Sequence, residues 1–247
     1  MWIVGTVEKK INWNEKLFSL QIKADIAPFT AGQFIKLSQV SNDKRVGRAY
    51  SLVNAPKADR IEVLAVTVED GLLSPQLHKL EVGDSVDVSA KAAGFMTLDE
   101  LPENGGTHLW FLATGTGIGP FISMLQTKDI WQKFDKVIVV YGVREQQDLA
   151  YRDLLLAIQN QYPTQVEIIF SVTRDICDNA LSCRIPAGLL SGEIEQKVGL
   201  QINQTDSQVM LCGNPNMISE SLAILQAKGL AKNLRRSPGQ ITLEKYW

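Results

Sequence analysis

The spacing of apolar residues changes once along the chain, and this change restricts the folds that the sequence can adopt. Before residue 101, short runs of β-branched and aromatic residues alternate with turn signals such as Ser41-Asn42-Asp43. We predict six strands there, at 4–7, 17–22, 34–37, 49–53, 61–68 and 85–88, and a short helix over 75–79. Closely spaced strands of this kind predict an antiparallel barrel or sandwich.

The second part of the chain alternates strands with helices. We predict strands at 109–113, 136–141, 166–172 and 209–212, and helices at 120–126, 150–161 and 215–228. Such alternation is typical of a parallel sheet with helices on its faces. Pro102-Glu103-Asn104-Gly105-Gly106 marks the transition. The sequence therefore predicts an α+β protein of two domains, residues 1–101 and 102–247.

Composition excludes several classes of protein. An apolar content of 45% and a charged content of 21% are typical of globular proteins. No apolar run approaches the roughly 18 residues of a membrane span, and the N-terminus lacks the pattern of a signal peptide. The net charge of −2 is spread evenly, which argues against a general nucleic-acid-binding surface. Three cysteines, an odd number, favour a reducing compartment, so we expect a cytoplasmic protein.

Two motifs point to phosphorylated ligands. Arg48-Ala49-Tyr50-Ser51 places a cation, an aromatic ring and a hydroxyl together at the end of a predicted strand, which suits a flat, phosphorylated ligand. Gly115-Thr116-Gly117-Ile118-Gly119-Pro120 joins a predicted strand to a helix, where glycines allow close approach and free N–H groups attract phosphate. Its spacing is G-x-G-x-G, which is not the Rossmann G-x-G-x-x-G, so a simple tight turn remains the alternative.

Three arginines indicate which nucleotide the second motif would bind. An NAD site has an acidic residue about 20 residues after the glycine loop, whereas this chain has Arg144 at that distance. Arg174 and Arg184 follow later in the same domain. The planar guanidinium binds phosphate through two hydrogen bonds, so the three together favour the 2′-phosphate of NADP. For any one of them, a solvated surface position is the alternative. Two nucleotide sites predict hydride transfer between a nicotinamide and a flavin.

Together, these segments resemble the ferredoxin/flavodoxin–NADP reductase family in its bacterial form, over nearly the whole chain. Residues 48–51 match the R-x-Y-S flavin motif, 71–74 the G-x-x-S segment and 115–120 the pyridine-nucleotide loop. Residues 212–215 match the C-G-x-P segment, and 244–247 resemble the aromatic terminus of the bacterial subgroup.

The resemblance implies a barrel domain that binds FAD, an α/β domain that binds NADP(H), and a C-terminal tail that returns to the flavin. It implies that Arg48 contacts the FAD phosphate, that Tyr50 packs on the isoalloxazine and that Ser51 hydrogen-bonds near N5. The other flavin-binding residues that it implies are Phe34, Ala49, Ala65, Val66, Thr67, Leu73, Ser74, Thr114, Glu244, Tyr246 and Trp247.

On the NADP side, the resemblance implies a loop of three glycines and a set of residues around the 2′-phosphate and the nicotinamide. These residues are Gly115, Gly117, Gly119, Arg144, Thr173, Arg174, Arg184 and Asn214. Cys212 would lie near the nicotinamide, although a buried structural thiol is the commonest fate of such a cysteine. The predicted catalytic residues are Tyr50, Ser51 and Cys212, and the sequence offers no set of metal ligands.

The sequence thus predicts a flavoprotein oxidoreductase. NADPH would pass hydride to FAD N5, and electrons would then reach an acidic carrier, ferredoxin or flavodoxin. We expect a monomer that binds neither nucleic acid nor membrane. The alternatives are a reductase subunit of a larger complex and a non-catalytic flavin-binding module. Residues 228–245 carry five basic residues against Glu244 alone, either as a solvated basic face or as a docking patch for the carrier.

Overall fold

The computed structural model describes residues 1–41 and 44–246. The turn predicted at Asn42 and Asp43 and the cofactor contact predicted for Trp247 lie outside these ranges. The contacts divide the chain into two compact units. The first contains Met1–Thr97 and Gly119–Thr127, and the second contains Leu98–Ile118 and the described chain from Lys128 onward.

An antiparallel sheet of six strands forms the first unit. The strands are β1 (Trp2–Asn12), β2 (Leu17–Lys23), β3 (Phe34–Ser41), β4 (Lys44–Ser51), β5 (Ile61–Val66) and β6 (Ser85–Ser89). They lie in the order β4-β3-β6-β1-β2-β5. Leu52, directly after β4, forms a bridge with Val63 of β5, so the two edges of the sheet meet and close a barrel. The predicted antiparallel architecture is therefore confirmed.

Alternation along the strands fills the interior of the barrel. Phe18, Leu20 and Ile22 occupy every second position of β2 and are fully buried. They join Ile35 and Leu37 of β3 in one apolar cluster. Successive strand residues point to opposite faces, which is why the alternating pattern predicted these strands. Burying each of these side chains contributes about 1.5–3 kcal/mol to stability.

Two helices pack with the barrel, α1 (Ser74–His78) and α2 (Gly119–Leu125). Ser123 of α2 donates its buried hydroxyl to the carbonyl of Asn54 at 2.7 Å. Gln126 Nε2 donates to the carbonyl of Val53 at 2.8 Å. The helix that follows the glycine loop therefore belongs to the first unit, although it lies beyond residue 102. The division of the chain into ligand-binding domains at residues 101 and 102 stays a prediction.

A parallel sheet of five strands forms the second unit. The strands are β7 (His108–Thr114), β8 (Lys136–Val143), β9 (Val166–Val172), β10 (Ser207–Gly213) and β11 (Ile241–Lys245). Their order is β11-β10-β7-β8-β9, and all four neighbouring pairs are parallel. The predicted α/β architecture is confirmed, with β11 as a strand that the sequence pattern did not predict.

In the described part of the chain, five α-helices accompany this sheet, and two of them were predicted from the sequence. The helices are α3 (Asp129–Lys133), α4 (Arg152–Gln161), α5 (Ile185–Ser191), α6 (Glu193–Val198) and α7 (Pro215–Ala227). Within the described ranges, none of the helices combines the length and apolar character that a membrane span requires. Because the strands are parallel, their carboxyl ends share one edge of the sheet, where the loops after β7, β8, β9 and β10 meet.

Candidate functional site

The Arg48–Ser51 motif forms the second half of β4, at the edge of the barrel sheet. Arg48 is exposed, and no ion pair among the described residues includes its guanidinium. Tyr50 is half-buried against the barrel core, and burial raises the pKa of its phenol to about 12. The strand therefore presents a cation without a carboxylate partner next to a neutral aromatic ring.

Ser51 lies where β3, β4 and α2 come together. It is 6% exposed and pairs directly with Phe34 of β3, so the two side chains share one face of the sheet. A Cβ atom placed on Gly119, the first residue of α2, would lie 3.9 Å from the Ser51 Cβ. The structure thus brings together three of the predicted cofactor-binding positions within the first unit.

The end of β5 and the turn after it contain the remaining predicted flavin positions of this unit. Leu73 is 2% exposed and packs in the barrel core. Ser74 Oγ accepts a hydrogen bond from the amide of Val68 at 3.0 Å, which fixes the turn. Ala65 is buried and Val66 is half-buried. Folding alone accounts for these residues, so their contact with a cofactor stays a prediction.

Thr67 differs from its neighbours. Its hydroxyl oxygen is buried and has no hydrogen-bond partner in the described part of the chain. Buried polar groups are nearly always hydrogen-bonded, so this hydroxyl calls for a polar group that the described chain does not supply. An exposed guanidinium, a neutral aromatic ring and an unpartnered hydroxyl in one unit fit a flat ligand that carries phosphate, such as FAD.

In the second unit, the loop after β7 packs against the end of β10 without any intervening side chain. Residues Gly115–Ile118 form a single 3₁₀ turn. A Cβ atom on Gly117 would lie 2.5 Å from the carbonyl oxygen of Cys212. One on Gly213, whose φ is +127°, would lie 2.4 Å from Thr114 Oγ1. Only glycine allows this approach at either position.

The residues that follow Gly213 begin helix α7. The amide of Asn214 donates to Thr114 Oγ1 at 2.9 Å. The Asn214 side-chain oxygen accepts from the amides of Asn216 at 2.8 Å and Met217 at 3.3 Å, which makes it the N-cap of α7. Pro215 occupies the first turn of the helix, where its missing N–H is tolerated. The C-G-x-P segment therefore has a folding role, and the cofactor contacts of Thr114 and Asn214 stay predictions.

Cys212, Glu244 and Tyr246 lie together at the ends of β10 and β11. Cys212 pairs in register with Glu244, and the amide of Tyr246 donates to the carbonyl of Gly213 at 3.0 Å. Burial raises the pKa of the Cys212 thiol, the Glu244 charge raises it further, and a hydrogen bond from the Tyr246 side chain opposes them. Burial also raises the pKa of Glu244 to about 7. A neutral thiol thus adjoins a carboxyl group that titrates near neutral pH.

The structure brings Arg144 and Arg174 together on neighbouring loops. The amide of Arg174 donates to the carbonyl of Arg144 at 2.7 Å, and the amide of Thr173 donates to the carbonyl of Val143 at 3.3 Å. Arg184 precedes α5 and is exposed like the other two arginines. Among the residues that the structure describes, none of these three guanidiniums forms an ion pair. Their charges remain available for a phosphate group.

The predicted catalytic residues are divided between the units, with Tyr50 and Ser51 in the first and Cys212 in the second. Cys177 and Cys183 are free thiols. Within 1–41 and 44–246, no group of three or more His, Cys, Asp or Glu side chains is arranged to hold a metal ion.

Two family models match the chain. The oxidoreductase FAD-binding domain covers residues 5–95, and the oxidoreductase NAD-binding domain covers residues 111–222. The chain is 44% identical to the flavodoxin/ferredoxin–NADP reductases of Escherichia coli (strain K12) and Shigella flexneri, over 100% of its own length and 99% of theirs. A crystal structure of a ferredoxin NADP+ reductase from Neisseria gonorrhoeae with bound FAD and NADP is 31% identical. It superposes with a TM-score of 0.93 over 99% of this chain and 98% of that one.

The close contact at Gly213 leads to a stability prediction. We expect Gly213→Ala to destabilise the protein strongly, because the new Cβ would combine an unfavourable φ with an overlap on Thr114. Gly199→Ala is the matched control, since Gly199 also has a positive φ, +73°, but has open space around its Cβ position. Strain alone costs about 1–2 kcal/mol, so urea unfolding should show a clearly larger loss for Gly213→Ala. Equal losses would contradict the contact.

The raised pKa of Glu244 predicts a pH dependence of stability. Between the ordinary pKa of 4.5 and the folded value of about 7, the folded protein binds more protons than the unfolded chain. Stability should therefore fall as pH rises through this range, and Glu244→Gln should reduce that fall because glutamine does not ionise. Melting temperatures at several pH values test this, with Glu220→Gln on the exposed face of α7 as control. The same pH profile for wild type and Glu244→Gln would refute the expectation.

Proposed function

The chain belongs to the flavodoxin/ferredoxin–NADP reductase family, and from this we propose that it is a flavoprotein that transfers electrons between NADPH and a one-electron carrier, ferredoxin or flavodoxin. The observation that carries the proposal is the 44% identity to such reductases over the full length of both chains. The FAD-binding and NAD-binding domain models both match parts of this one chain.

We assign FAD binding to the domain of residues 1–101. The exposed guanidinium of Arg48 would neutralise the FAD phosphate, and the neutral ring of Tyr50 would cover the isoalloxazine. Ser51 would hydrogen-bond near N5. The buried hydroxyl of Thr67, which has no partner in the described chain, would hydrogen-bond to the cofactor. When bound, FAD supplies the redox chemistry, since it accepts hydride from NADPH and releases electrons singly. The other flavin-binding residues that we propose in this domain are Phe34, Ala49, Ala65, Val66, Leu73 and Ser74. Thr114 of the domain 102–247 completes the proposed set.

We assign NADP(H) binding to the domain of residues 102–247. The loop glycines 115, 117 and 119 would allow the protein backbone to approach the nucleotide closely. The 2′-phosphate would be bound by Arg144, Thr173, Arg174 and Arg184. Arginine suits this role because it keeps its charge at all relevant pH values.

Cys212 and Asn214 would lie on the nicotinamide side of this domain. The raised pKa of Cys212 keeps its thiol neutral, so it would offer the nicotinamide an uncharged, polarisable contact. Glu244, Tyr246 and Trp247 would contribute to the flavin site, and Glu244 can hold or release a proton near neutral pH.

We extend the proposal to the electron carrier, the cellular compartment and the oligomeric state. We assign the carrier-docking role to the basic residues between 228 and 245, several of which are exposed. Free cysteines favour a cytoplasmic protein, which we take to be a monomer that binds no nucleic acid. A subunit of a larger reductase complex is the second candidate.

The activity can be tested directly. Purified protein loaded with FAD should oxidise NADPH and reduce flavodoxin or ferredoxin in an anaerobic assay that follows the absorbance of the carrier. A non-catalytic flavin-binding module would oxidise no NADPH, even with an artificial dye as acceptor. A subunit that needs its complex would reduce the dye but neither carrier. Either of these results would overturn the proposal.

The coenzyme assignment leads to a separate prediction. We expect Arg174→Ala or Arg184→Ala to raise the KM for NADPH roughly 10- to 100-fold, because each contact to a charged group contributes about 1.5–3 kcal/mol. The KM for NADH, which lacks the 2′-phosphate, should change little. Lys197→Ala removes an exposed cation from α6 and serves as control. Equal effects on NADPH and NADH would remove these arginines from the phosphate site.

A further inference from the structure

The structure assigns a positioning role to Asp175, an acidic residue directly after Arg174. The inference rests on the proposed function, because it concerns how Arg144 and Arg174 are held for the 2′-phosphate. A carboxylate next to a phosphate-binding site is electrostatically unfavourable for phosphate binding, since the carboxylate and the phosphate are both negative and repel each other. The hydrogen bonds of the Asp175 carboxylate give this residue a role that offsets the repulsion.

Each oxygen of the Asp175 carboxylate accepts a backbone amide. Oδ1 accepts from the amide of Ile176 at 2.8 Å, within its own loop. Oδ2 accepts from the amide of Gln146 at 3.3 Å, in the loop after β8. No ion pair of the described chain includes Asp175, although Arg174 is its neighbour. One side chain thus ties together the two loops that carry Arg144 and Arg174.

This tie extends the contact between β8 and β9 beyond the sheet. The backbone pairing of the two strands continues to Arg174, whose amide bonds to the carbonyl of Arg144 at 2.7 Å. After this point the side chain of Asp175 provides the next connection between the loops. Removing this bond would therefore weaken the link between the segment that follows Arg174 and the loop after β8.

The partner loop is itself well defined. Glu145 and Asp148 form reciprocal capping hydrogen bonds around the 3₁₀ turn Gln146–Asp148. The Asp175 carboxylate therefore bonds to a turn with its own internal support. Fixing the two arginines relative to each other before the coenzyme arrives reduces the ordering that binding requires.

The test compares KM and kcat for NADPH and NADH in Asp175→Ala and Asp175→Asn. Asparagine keeps one oxygen acceptor without the charge, whereas alanine removes both acceptors. We expect Asp175→Ala to raise the KM for NADPH roughly 2- to 10-fold, the effect of losing about one ordinary intramolecular hydrogen bond. The KM for NADH and kcat should not change, and Asp175→Asn, which can keep only one of the two hydrogen bonds, should lie between wild type and Asp175→Ala.

Asp178→Ala is the matched control. Asp178 is an exposed acid of the same loop, and its carboxylate accepts no hydrogen bond within the described chain. The variant removes an equal charge but leaves the hydrogen bond between Asp175 and Gln146 in place. Its KM for NADPH should therefore equal that of wild type. A control variant with the same rise as Asp175→Ala would overturn the inference.

Other outcomes also overturn the inference. A lower KM for NADPH in both Asp175 variants would mean that the carboxylate only repels the phosphate. A parallel rise for NADPH and NADH with a lower melting temperature would mean a general folding role. Arg174→Ala separates this inference from the proposed function. If Arg174→Ala raises the KM for NADPH but Asp175→Ala does not, only the role of Asp175 fails, whereas no effect of Arg174→Ala removes the phosphate site and this inference with it.

Discussion

At the carboxyl edge of the parallel sheet, the backbone after β7 touches the backbone at the end of β10, and no side chain fits between them. Gly117 and Gly213 make this contact possible, because a Cβ atom on either would overlap with the facing segment. The contact places the Thr114 hydroxyl where it accepts the amide of Asn214, and Asn214 then caps α7. It also fixes the strand end that carries Cys212. The candidate nucleotide site therefore depends on two positions where a side chain is missing.

The architecture could be predicted because the two kinds of periodicity are clear in the sequence. The strand predicted at 166–172 coincides with β9 (Val166–Val172), and alternation located all six barrel strands. Helix α2 was predicted as an element, but its unit was not, because all seven of its residues are buried and no polar face indicates its partner. Strand β11 was not predicted, although its residues Ile-Thr-Leu-Glu-Lys alternate apolar with polar side chains.

The candidate site was predictable to a similar degree. Parallel strands bring their carboxyl ends together, so the sequence could place Arg144 and Arg174 on neighbouring loops. The pairing of Cys212 with Glu244 could not be predicted, because it depends on β11 and its register. The role of Asp175 could not be predicted, because it depends on an amide partner that the fold brings from a different loop.

The membership of α2 in the first unit has a consequence for how this chain can vary. The chain leaves the first unit before Leu98, returns to it at Gly119 and leaves it again after Thr127. A single exchange of chain segments near residue 102 would separate Ser123 from the Asn54 carbonyl that it bonds in this sequence. The barrel and the parallel sheet therefore cannot be exchanged between relatives at a single point of the chain. Recombination between relatives conserves this packing only if α2 travels with the barrel, which requires three crossover points rather than one.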